Sequence, residues 1–292
     1  MNILVTGANG QLGMSLRRMS LYSSDHFIFS DINEMPGEET VYLDISNEEA
    51  VGIIARSENV DLIINCAAYT NVEKAENDVD YADLLNHKAP GILACTASEI
   101  GASMIHISTD YVFSGKFAVP IREDCEPDPC NVYGATKLAG ENAVLKSGCR
   151  SIIIRTAWLY SPYGRNFVKT MLDLMHKTQS IKVVYDSVGS PTSARDLAGL
   201  ILHIIESGQL DKTGIYHFTD EGVASWYDLA MGVASHIGYA GKVIPVLSSE
   251  YPSAVRRPSY SVLDKQLVKD TFGVDLPHWR DSLEECLNLI GV

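Results

Sequence analysis

The chain has 292 residues, of which 46% are hydrophobic, and it carries a formal net charge of -14. This length and apolar content allow a sizeable buried core, in one large domain or two smaller ones. The acidic balance argues against nucleic acid as a partner, because phosphates would be repelled and the sequence contains no basic stripe.

The amino-terminal residues run directly into an apolar segment, residues 3–6, which we predict to be the first strand. No basic and apolar leader precedes it, and no apolar run approaches the ~18 residues of a membrane helix. The six cysteines show neither a CxxC motif nor a zinc-like spacing with histidine, so free thiols are expected. We therefore expect a cytoplasmic protein without a membrane segment.

A glycine-rich turn follows the first strand and precedes a predicted helix over residues 11–21. Its sequence is GANGQLG, from Gly7 to Gly13. Glycines let backbone N–H groups approach a pyrophosphate, and the helix presents its positive dipole end to it. The turn predicts a dinucleotide site for NADPH or NADH, with contacts from Gly7, Asn9, Gly10, Gln11, Leu12 and Gly13; the alternative is a tight turn without a ligand.

Short β-branched runs alternate with amphipathic segments along the first half of the chain. The predicted strands are residues 3–6, 27–30, 41–43, 62–66, 103–108 and 151–156. This alternation predicts an α/β fold with a doubly wound parallel Rossmann sheet and a ligand crevice at the carboxyl ends of the strands. Polar and small residues collect at those ends: Gly7, Asp31, Asp44, Ala67, Ala68, Tyr69 and Thr109.

Asp31 follows Gly13 by eighteen residues, close to the ~20 expected for a carboxylate that accepts the adenosine ribose hydroxyls. Such a carboxylate would repel a 2′-phosphate. Arg17 and Arg18, which we expect to open the helix after the glycine turn, would compensate, so the choice between NADH and NADPH stays open. Asp44 and Ile45 are predicted to meet the adenine, and Ala67, Ala68 and Tyr69 to line the same site; ordinary turn residues are the alternative.

Tyr133 and Lys137 stand one helical turn apart in the segment NVYGATKLAGE. Residues four apart share a helix face, so the lysine charge is expected to lower the pKa of the phenol by roughly 1–3 units. Tyr133 then becomes a candidate general acid. Thr109, at the end of the fifth strand, is the candidate hydroxyl beside it, with a β-branched packing role as the alternative. Asn86 is expected to serve as a polar relay or a packing hydrogen bond.

From residue 162 onward the pattern changes, and we predict a smaller mixed α/β substrate domain. The expected division is a dinucleotide-binding domain at residues 1–161 and a substrate domain at residues 162–292, with segments of about 193–218 returning to the Rossmann sheet. Trp158 is a candidate for stacking on the substrate or for the core. Arg256 and Arg257 are the only paired cations of the late half, which suggests a phosphate clamp or a solvated pair.

Six blocks of sequence occur in a specific order: GANGQLG, NCAAYTNVEKAE, STDYVFSG, NVYGATKLAGE, RTAWLY and GSPTSARDLA. Together they resemble the dTDP-4-dehydrorhamnose reductase family of extended short-chain dehydrogenase/reductases. The resemblance implies reduction of the 4-keto group of dTDP-4-dehydro-L-rhamnose to dTDP-L-rhamnose, with Thr109, Tyr133 and Lys137 at the catalytic positions. It implies a nucleotide-sugar site with contacts from Thr70, Lys74, Tyr111, Trp158 and Asn166. To these we add Thr109, Asp110 and Arg257 as substrate candidates.

Some members of this family hold a magnesium ion at a dimer interface through glutamates. Two of those positions are Ser15 and Arg195 in this chain. Serine and arginine cannot replace carboxylate ligands, so we expect no metal site and no dimer of that kind. A homodimer through another surface stays open.

Two rival functions use the same scaffold. A nucleotide-sugar dehydratase is disfavoured because Asp110 is followed by Tyr111 instead of the second carboxylate. An epimerase, or a related 4-ketoreductase, stays open until the need for an external reductant is tested. A non-catalytic cofactor-binding regulatory subunit would not require Thr109, Tyr133 and Lys137 together.

Overall fold

The structure is a computed structural model that describes residues 1–251 and 255–292. Its strands are β1 (Asn2–Thr6), β2 (His26–Asp31), β3 (Val41–Tyr42), β4 (Leu62–Asn65), β5 (Ser103–Thr109), β6 (Arg150–Thr156), β7 (Leu159–Tyr160), β8 (Ser180–Val184), β9 (Val188–Gly189), β10 (Thr192–Ser193), β11 (Gly214–His217), β12 (Ala224–Ser225), β13 (Lys242–Val246) and β14 (Tyr260–Ser261). Its helices are α1 (Gln11–Met19), α2 (Glu48–Ser57), α3 (Val72–Ala75), α4 (Val79–Asp83), α5 (Ala89–Ile100), α6 (Val132–Lys146), α7 (Phe167–Lys177), α8 (Ala194–Glu206), α9 (Trp226–His236), α10 (Gln266–Phe272) and α11 (Trp279–Ile290). A π-helical turn, Leu84–Lys88, joins α4 to α5.

A seven-stranded sheet organises the first half of the chain, in the order β11-β6-β5-β4-β1-β2-β3. Every neighbouring pair in it is parallel. The chain runs outward from β1 to β3 and then returns to the other side of β1 with β4. Strand order therefore reverses between β1 and β4, and a ligand crevice is expected above that point. The predicted doubly wound parallel sheet is confirmed.

Helices cover both faces of the sheet because its strands are apolar on both sides. One face packs on α1 and α8, with residues such as Leu16 and Ile201 fully buried against β1 and β6. The opposite face packs on α2, α5 and α6 through residues such as Val51, Leu93 and Val144. Each such aliphatic side chain contributes roughly 1.5–3 kcal/mol by leaving water, so the sheet is held rigidly beneath the crevice.

The later elements build smaller sheets and a separate apolar cluster. β13 pairs with β8, and β9 lies between β12 and β14. Helices α7, α9 and α11 pack together around the buried Trp279. Between these pieces, β11 adds to the large sheet beside β6. The division at residues 161 and 162 stays a prediction.

Two local expectations need correction. The helix predicted over residues 11–21 ends at Met19 and continues as a 3₁₀ turn. Arg17 and Arg18 consequently lie in the last turn of α1 and do not open it. The third predicted strand is also shorter, with only Val41 and Tyr42 paired to β2. Within the described residues, no helix is both long enough and apolar enough to cross a membrane.

Candidate active site

A cleft of about 850 Å³ opens above the carboxyl ends of β1, β2, β4 and β5. Its wall contains most of the residues that the sequence predicts for cofactor and substrate. These are Gly7, Gly10, Gln11, Leu12, Asp31, Asp44, Ile45, Ala67, Ala68, Thr70, Thr109, Asp110, Tyr111, Tyr133, Lys137, Trp158 and Arg257. Their shared location supports one site, while the individual roles stay predictions.

The glycine turn is shaped by contacts that leave no room for side chains. Gly7 has a φ of +64°, and a Cβ on it would lie 2.6 Å from the backbone nitrogen of Ala67. A Cβ on Gly13 would lie 2.5 Å from the Cα of Ala8. Gly10 precedes α1 and has no side chain, so backbone N–H groups are left to meet a ligand at the helix start. This cradle fits a dinucleotide.

Two carboxylates lie at the same end of the cleft. Asp31, at the end of β2, accepts a hydrogen bond from the backbone N–H of Asn9 at 3.1 Å. Asp44 accepts bonds from the backbone N–H and the hydroxyl of Ser46, at 2.9 and 2.7 Å. Asn9 itself is not part of the cleft wall among the described residues; its side chain donates to the carbonyl of Asn33. Asn9 and Gly13 therefore help to shape the glycine turn without lining the described cleft wall.

Asn86 fixes the end of the fourth strand against α6. Its Oδ1 accepts from the backbone N–H of Tyr69 at 2.8 Å, and its Nδ2 donates to the carbonyl of Tyr69 at 3.0 Å. The same Nδ2 donates to the hydroxyl of Thr136 at 3.2 Å. Asn86 is fully buried, so these bonds favour the packing interpretation over a relay. Tyr69 takes part through its backbone and is not on the described cleft wall.

The three predicted catalytic residues meet at the centre of the cleft. Thr109 hydrogen-bonds to Tyr133 and donates to Asp110 Oδ1 at 3.0 Å. Helix α6 brings Tyr133 this close because Gly134 packs directly on the backbone of Tyr111, where a Cβ would lie 2.1 Å from the carbonyl oxygen. The two hydroxyls therefore lie side by side, and a single carbonyl oxygen placed between them would meet both.

The pKa of Tyr133 moves opposite to the expectation. Burial raises it to about 12; the hydrogen bond with Thr109 works against this rise, and the charge of Asp110 adds to it. Lys137 is not among the groups that shift this pKa, and its Nζ donates to the carbonyl of Ile107 at 2.6 Å. The predicted acidification of the phenol is therefore wrong. Burial of the Tyr133 phenol is the largest effect on its pKa, and it disfavours the charged phenolate.

Lys137 is itself strongly affected by its surroundings. Only 2% of its surface is exposed, and burial lowers its pKa to about 8. The carboxylate of Glu141, one turn further along α6, acts in the opposite direction and favours the ammonium. Lys137 therefore changes charge just above neutral pH.

Glu141 belongs to a buried polar network beneath the catalytic residues. It accepts two hydrogen bonds from the guanidinium of Arg155, at 2.9 and 2.7 Å. It also accepts a bond from the hydroxyl of Ser108, the neighbour of Thr109. All three residues are buried, so α6, β5 and β6 are tied together below the cleft.

Asp110 and Tyr111 continue the wall after Thr109. Asp110 is 2% exposed, and burial raises its pKa to about 7, against hydrogen bonds from Ser261 and Thr109. Its Oδ2 has no hydrogen-bond partner among the described residues. The ring of Tyr111 meets that of Tyr133 edge to face, with centroids 5.4 Å apart. Asp110 Oδ2 and the hydroxyls of Tyr111 and Tyr133 are groups that can form hydrogen bonds with the hydroxyls of a sugar.

The opposite wall is aromatic. Trp158 stacks on Trp226 with ring centroids 3.6 Å apart and an interplanar angle of 8°. Trp158 has a φ of +50°, which is rare for a bulky residue and requires support from its neighbours. Gly189 provides part of it, because a Cβ there would lie 2.7 Å from the indole of Trp158. Trp158 therefore belongs to both the cleft wall and the core.

Three predicted substrate residues have their side chains engaged or directed elsewhere. Asn166 caps α7 and donates to Gln11 Oε1 at 3.0 Å and to the carbonyl of Ser161 at 2.8 Å. Lys74 is exposed on α3, and neither of these two is on the described cleft wall. Arg257 does line the cleft, where it pairs with Glu73 at 3.0 Å.

Several wall residues were not predicted, among them Trp226, Cys66, Ile107, Leu84 and Arg165. Trp226 begins an ordinary amphipathic helix and reaches the cleft only through tertiary packing. Ile107 contributes a backbone carbonyl, which no residue pattern reveals. Cys66 is the last residue of a predicted strand, so its position at a strand end was a usable signal.

The positions considered for a metal have other partners. The hydroxyl of Ser15 donates to the carbonyl of Gln11 at 2.9 Å. Arg195 forms an ion pair with Glu285 at 2.8 Å. In the described part of the chain, no group of three or more His, Cys, Asp or Glu residues is arranged to hold a metal ion. The absence of a metal stays a prediction.

Known proteins resemble this chain over nearly its whole length. The RmlD substrate binding domain family matches residues 1–291. The dTDP-4-dehydrorhamnose reductase of Escherichia coli (strain K12) is 38% identical, with 99% of this chain and 97% of the relative covered.

Solved structures give the same result. That of a dTDP-4-dehydrorhamnose reductase from Clostridium acetobutylicum is 40% identical, with a TM-score of 0.93 over 100% of both chains. One from Bacillus anthracis, in complex with NADP, is 34% identical, with a TM-score of 0.91 over 99% of both chains. The resemblance seen in the sequence is thus confirmed, and the chain belongs to the dTDP-4-dehydrorhamnose reductase family.

Proposed function

We propose that the chain reduces the 4-keto group of dTDP-4-dehydro-L-rhamnose to give dTDP-L-rhamnose, with NADPH or NADH as reductant, in nucleotide-sugar biosynthesis. The observation that carries this proposal is the meeting of the Thr109 and Tyr133 hydroxyls in a cleft whose other end is the glycine cradle. Relatives at 34–40% identity that are named as this reductase support it.

In the proposed reaction the cofactor supplies the hydride and the chain's own residues bind the carbonyl oxygen and supply the proton. When bound, the reduced nicotinamide supplies a hydride to the carbonyl carbon. Thr109 and Tyr133 hydrogen-bond to the carbonyl oxygen, and Tyr133 gives its proton to that oxygen as negative charge develops. With a pKa of about 12, the Tyr133 phenol is fully protonated at neutral pH. A secondary alkoxide is a stronger base than a phenolate, so this transfer is favourable.

Lys137 has an electrostatic role in this proposal. Its ammonium lies on the cleft wall one helical turn from Tyr133, where its positive charge would hold the nicotinamide ribose through charge-assisted hydrogen bonds. The hydrogen bond to the carbonyl of Ile107 and the nearby Glu141 hold the charge in place. A neutral amine would not do this, so the reaction depends on a protonated Lys137.

The nucleotide sugar is proposed to occupy the other half of the cleft. Arg257 would pair with the diphosphate, which in an acidic chain must be met locally. Thr70, Asp110, Tyr111 and Trp158 would contact the sugar, and residues 162–292 would form the substrate domain. The six free cysteines fit a reducing compartment, so we propose a cytoplasmic location.

The test is consumption of NADPH and NADH against a panel of 4-keto nucleotide sugars. We expect continuous stoichiometric oxidation with dTDP-4-dehydro-L-rhamnose and slower turnover of the other sugars. An epimerase would interconvert the sugars without consuming added reductant. A non-catalytic subunit would bind the cofactor and turn over no sugar, and either result would contradict the proposal.

A further inference from the structure

We infer that this chain takes NADH in preference to NADPH. The inference rests on the proposed function only in requiring a nicotinamide dinucleotide in the cleft. Its basis is the region around Asp31, where the adenosine ribose of such a cofactor belongs. That region combines a fixed carboxylate with two arginines whose guanidinium groups are already bound by other parts of the protein.

The carboxylate of Asp31 is held in place by the backbone. Its Oδ2 accepts from the N–H of Asn9 at 3.1 Å, and its Oδ1 accepts from the N–H of Asn33 at 3.0 Å. The Nδ2 of Asn33 donates a third, longer bond to Oδ1 at 3.4 Å. A carboxylate accepts about four hydrogen bonds, so one site remains for a ribose hydroxyl, and a second opens when a ribose hydroxyl replaces that long bond. Asp31 lines the cleft and is therefore available to these hydroxyls.

A 2′-phosphate would replace one of those hydroxyls with a dianionic acceptor. It cannot donate a hydrogen bond to Asp31, and it carries a charge of about -1.5 to -2 close to another negative charge. The backbone bonds from Asn9 and Asn33 keep the carboxylate from turning away. Tight binding of NADPH would therefore require a cation nearby.

Arg17 does not provide that cation. Its Nη1 donates to the carbonyl of Glu39 at 2.6 Å, and its Nη2 donates to the hydroxyl of Thr40 at 3.2 Å. Its guanidinium also lies 4.3 Å from the centroid of the Phe29 ring. Arg17 is only 6% exposed, so releasing it would break all of these contacts.

Arg18 is matched by Glu38, with which it forms an ion pair and hydrogen bonds. The same carboxylate lies 3.6 Å from the Nε of Arg17. Neither arginine is on the described wall of the cleft, where the cations are Lys137, Arg165 and Arg257. Lys137 is one of the three catalytic residues, and Arg257, which pairs with Glu73, is assigned to the diphosphate of the sugar, which leaves Arg165 as the cation to test.

The experiment is a fluorescence titration of NADH and of NADPH in the absence of sugar, at one fixed salt concentration. We expect NADH to bind the natural chain at least about tenfold more tightly, since like charges near a protein surface repel strongly. Asp31→Asn should bring the two affinities close together. Glu99→Gln changes the net charge equally at an exposed residue paired with Arg56, and it should leave their ratio unchanged.

Glu38→Gln provides a second test that does not alter the cleft wall. It leaves the charges of Arg17 and Arg18 unmatched, so NADPH should bind several-fold more tightly while NADH is unaffected. Circular dichroism would verify that each variant is folded.

Equal affinities, or tighter binding of NADPH, would overturn the inference and leave the proposed reductase intact. NADPH binding that is tight and lost in Arg165→Ala would overturn it by showing that Arg165 supplies the missing cation. An unchanged ratio in Asp31→Asn would overturn the role of Asp31. Failure of both cofactors to bind would overturn the proposed function as well.

Discussion

The two ends of the cleft are built in different ways. The cofactor end is formed by one short run of chain, Gly7 to Gly13, together with strand ends that lie next to each other in the sheet. The substrate end combines Thr70, Trp158, Trp226 and Arg257, which come from widely separated parts of the sequence. Backbone geometry shapes the first end and side-chain packing shapes the second, so they should respond differently to substitution.

The largest expected effect lies in the buried network beneath the catalytic residues, where α6, β5 and β6 are joined. Arg155→Ala would leave the carboxylate of Glu141 buried, with the Ser108 hydroxyl as its remaining hydrogen-bond partner among the described residues. Removing one member of a buried ion pair costs about 3–5 kcal/mol, because the remaining charge is uncompensated. Urea denaturation should show a loss of that size in the free energy of unfolding.

The double variant Arg155→Met, Glu141→Leu is the control for this prediction. It removes both charges, so most of the stability should return. A double variant as unstable as Arg155→Ala would show that the network stabilises the fold by shape and not by pairing of charge.

At the cofactor end, Gly7→Ala is expected to cost about 2–3 kcal/mol and to abolish cofactor binding. The added Cβ would lie 2.6 Å from the nitrogen of Ala67 in a backbone with φ of +64°. Gly37→Ala is the matched control, because Gly37 has a φ of +84° and no atom within 4 Å of the new Cβ. It should cost only about 1 kcal/mol and leave binding unchanged.

Equal losses in the two glycine variants would mean that backbone conformation alone explains Gly7. The account requires Gly7→Ala to be the more destabilising of the two variants, because only Gly7 lies against the backbone that follows β4. Thermal unfolding and NADH titration together distinguish the two causes.

This contrast explains what the sequence could reveal. The sheet, the glycine turn and Asp31 follow from periodicity and spacing within short segments, and each is found where it was predicted. Trp226 was missed because its place beside Trp158 depends on the packing of α9 against the later strands. Asn166 was assigned to the substrate by resemblance, yet its side chain is used to cap α7 and hold Gln11.

At the substrate end, Trp226→Ala should weaken binding of the nucleotide sugar by about tenfold. The variant removes a stacked aromatic partner worth about 0.5–1.5 kcal/mol and frees Trp158 from its restricted conformation. Trp226→Phe keeps a ring and should retain most of the affinity. The KM for the nucleotide sugar and the Kd for NADH should both be measured in each variant. A change in the Kd for NADH would mean that the two ends of the cleft are not independent.

The smallest predicted effect comes from pH. Because the pKa of Lys137 is lowered to about 8, kcat/KM should be halved near pH 8 and should fall further as the ammonium is lost. Folding stability should respond in the opposite sense. The unfolded chain holds this proton up to a pKa near the usual ~10.4, so the cost of burying the charge disappears as pH rises from about 8.

Lys137→Arg separates these effects, because arginine stays charged throughout this range. Its residual activity should lack the decline that begins near pH 8. A decline that persists in this variant would assign the titration to another group.

The pKa values of the catalytic residues could not be predicted from their spacing in the sequence. Tyr133 and Lys137 do stand one turn apart, as the motif requires, but the pKa values of both depend first on burial. A sequence pattern identifies the neighbours along a helix and says nothing about how much water reaches them. The direction of the Tyr133 shift was therefore predicted incorrectly.

The central claim is that the Tyr133 hydroxyl delivers the proton at the point where the two ends of the cleft meet. The most direct test is to measure NADH affinity and sugar turnover side by side in Tyr133→Phe. The account predicts an unchanged Kd for NADH and turnover lower by a factor of about 10²–10⁴. Turnover equal to that of the natural chain would contradict it.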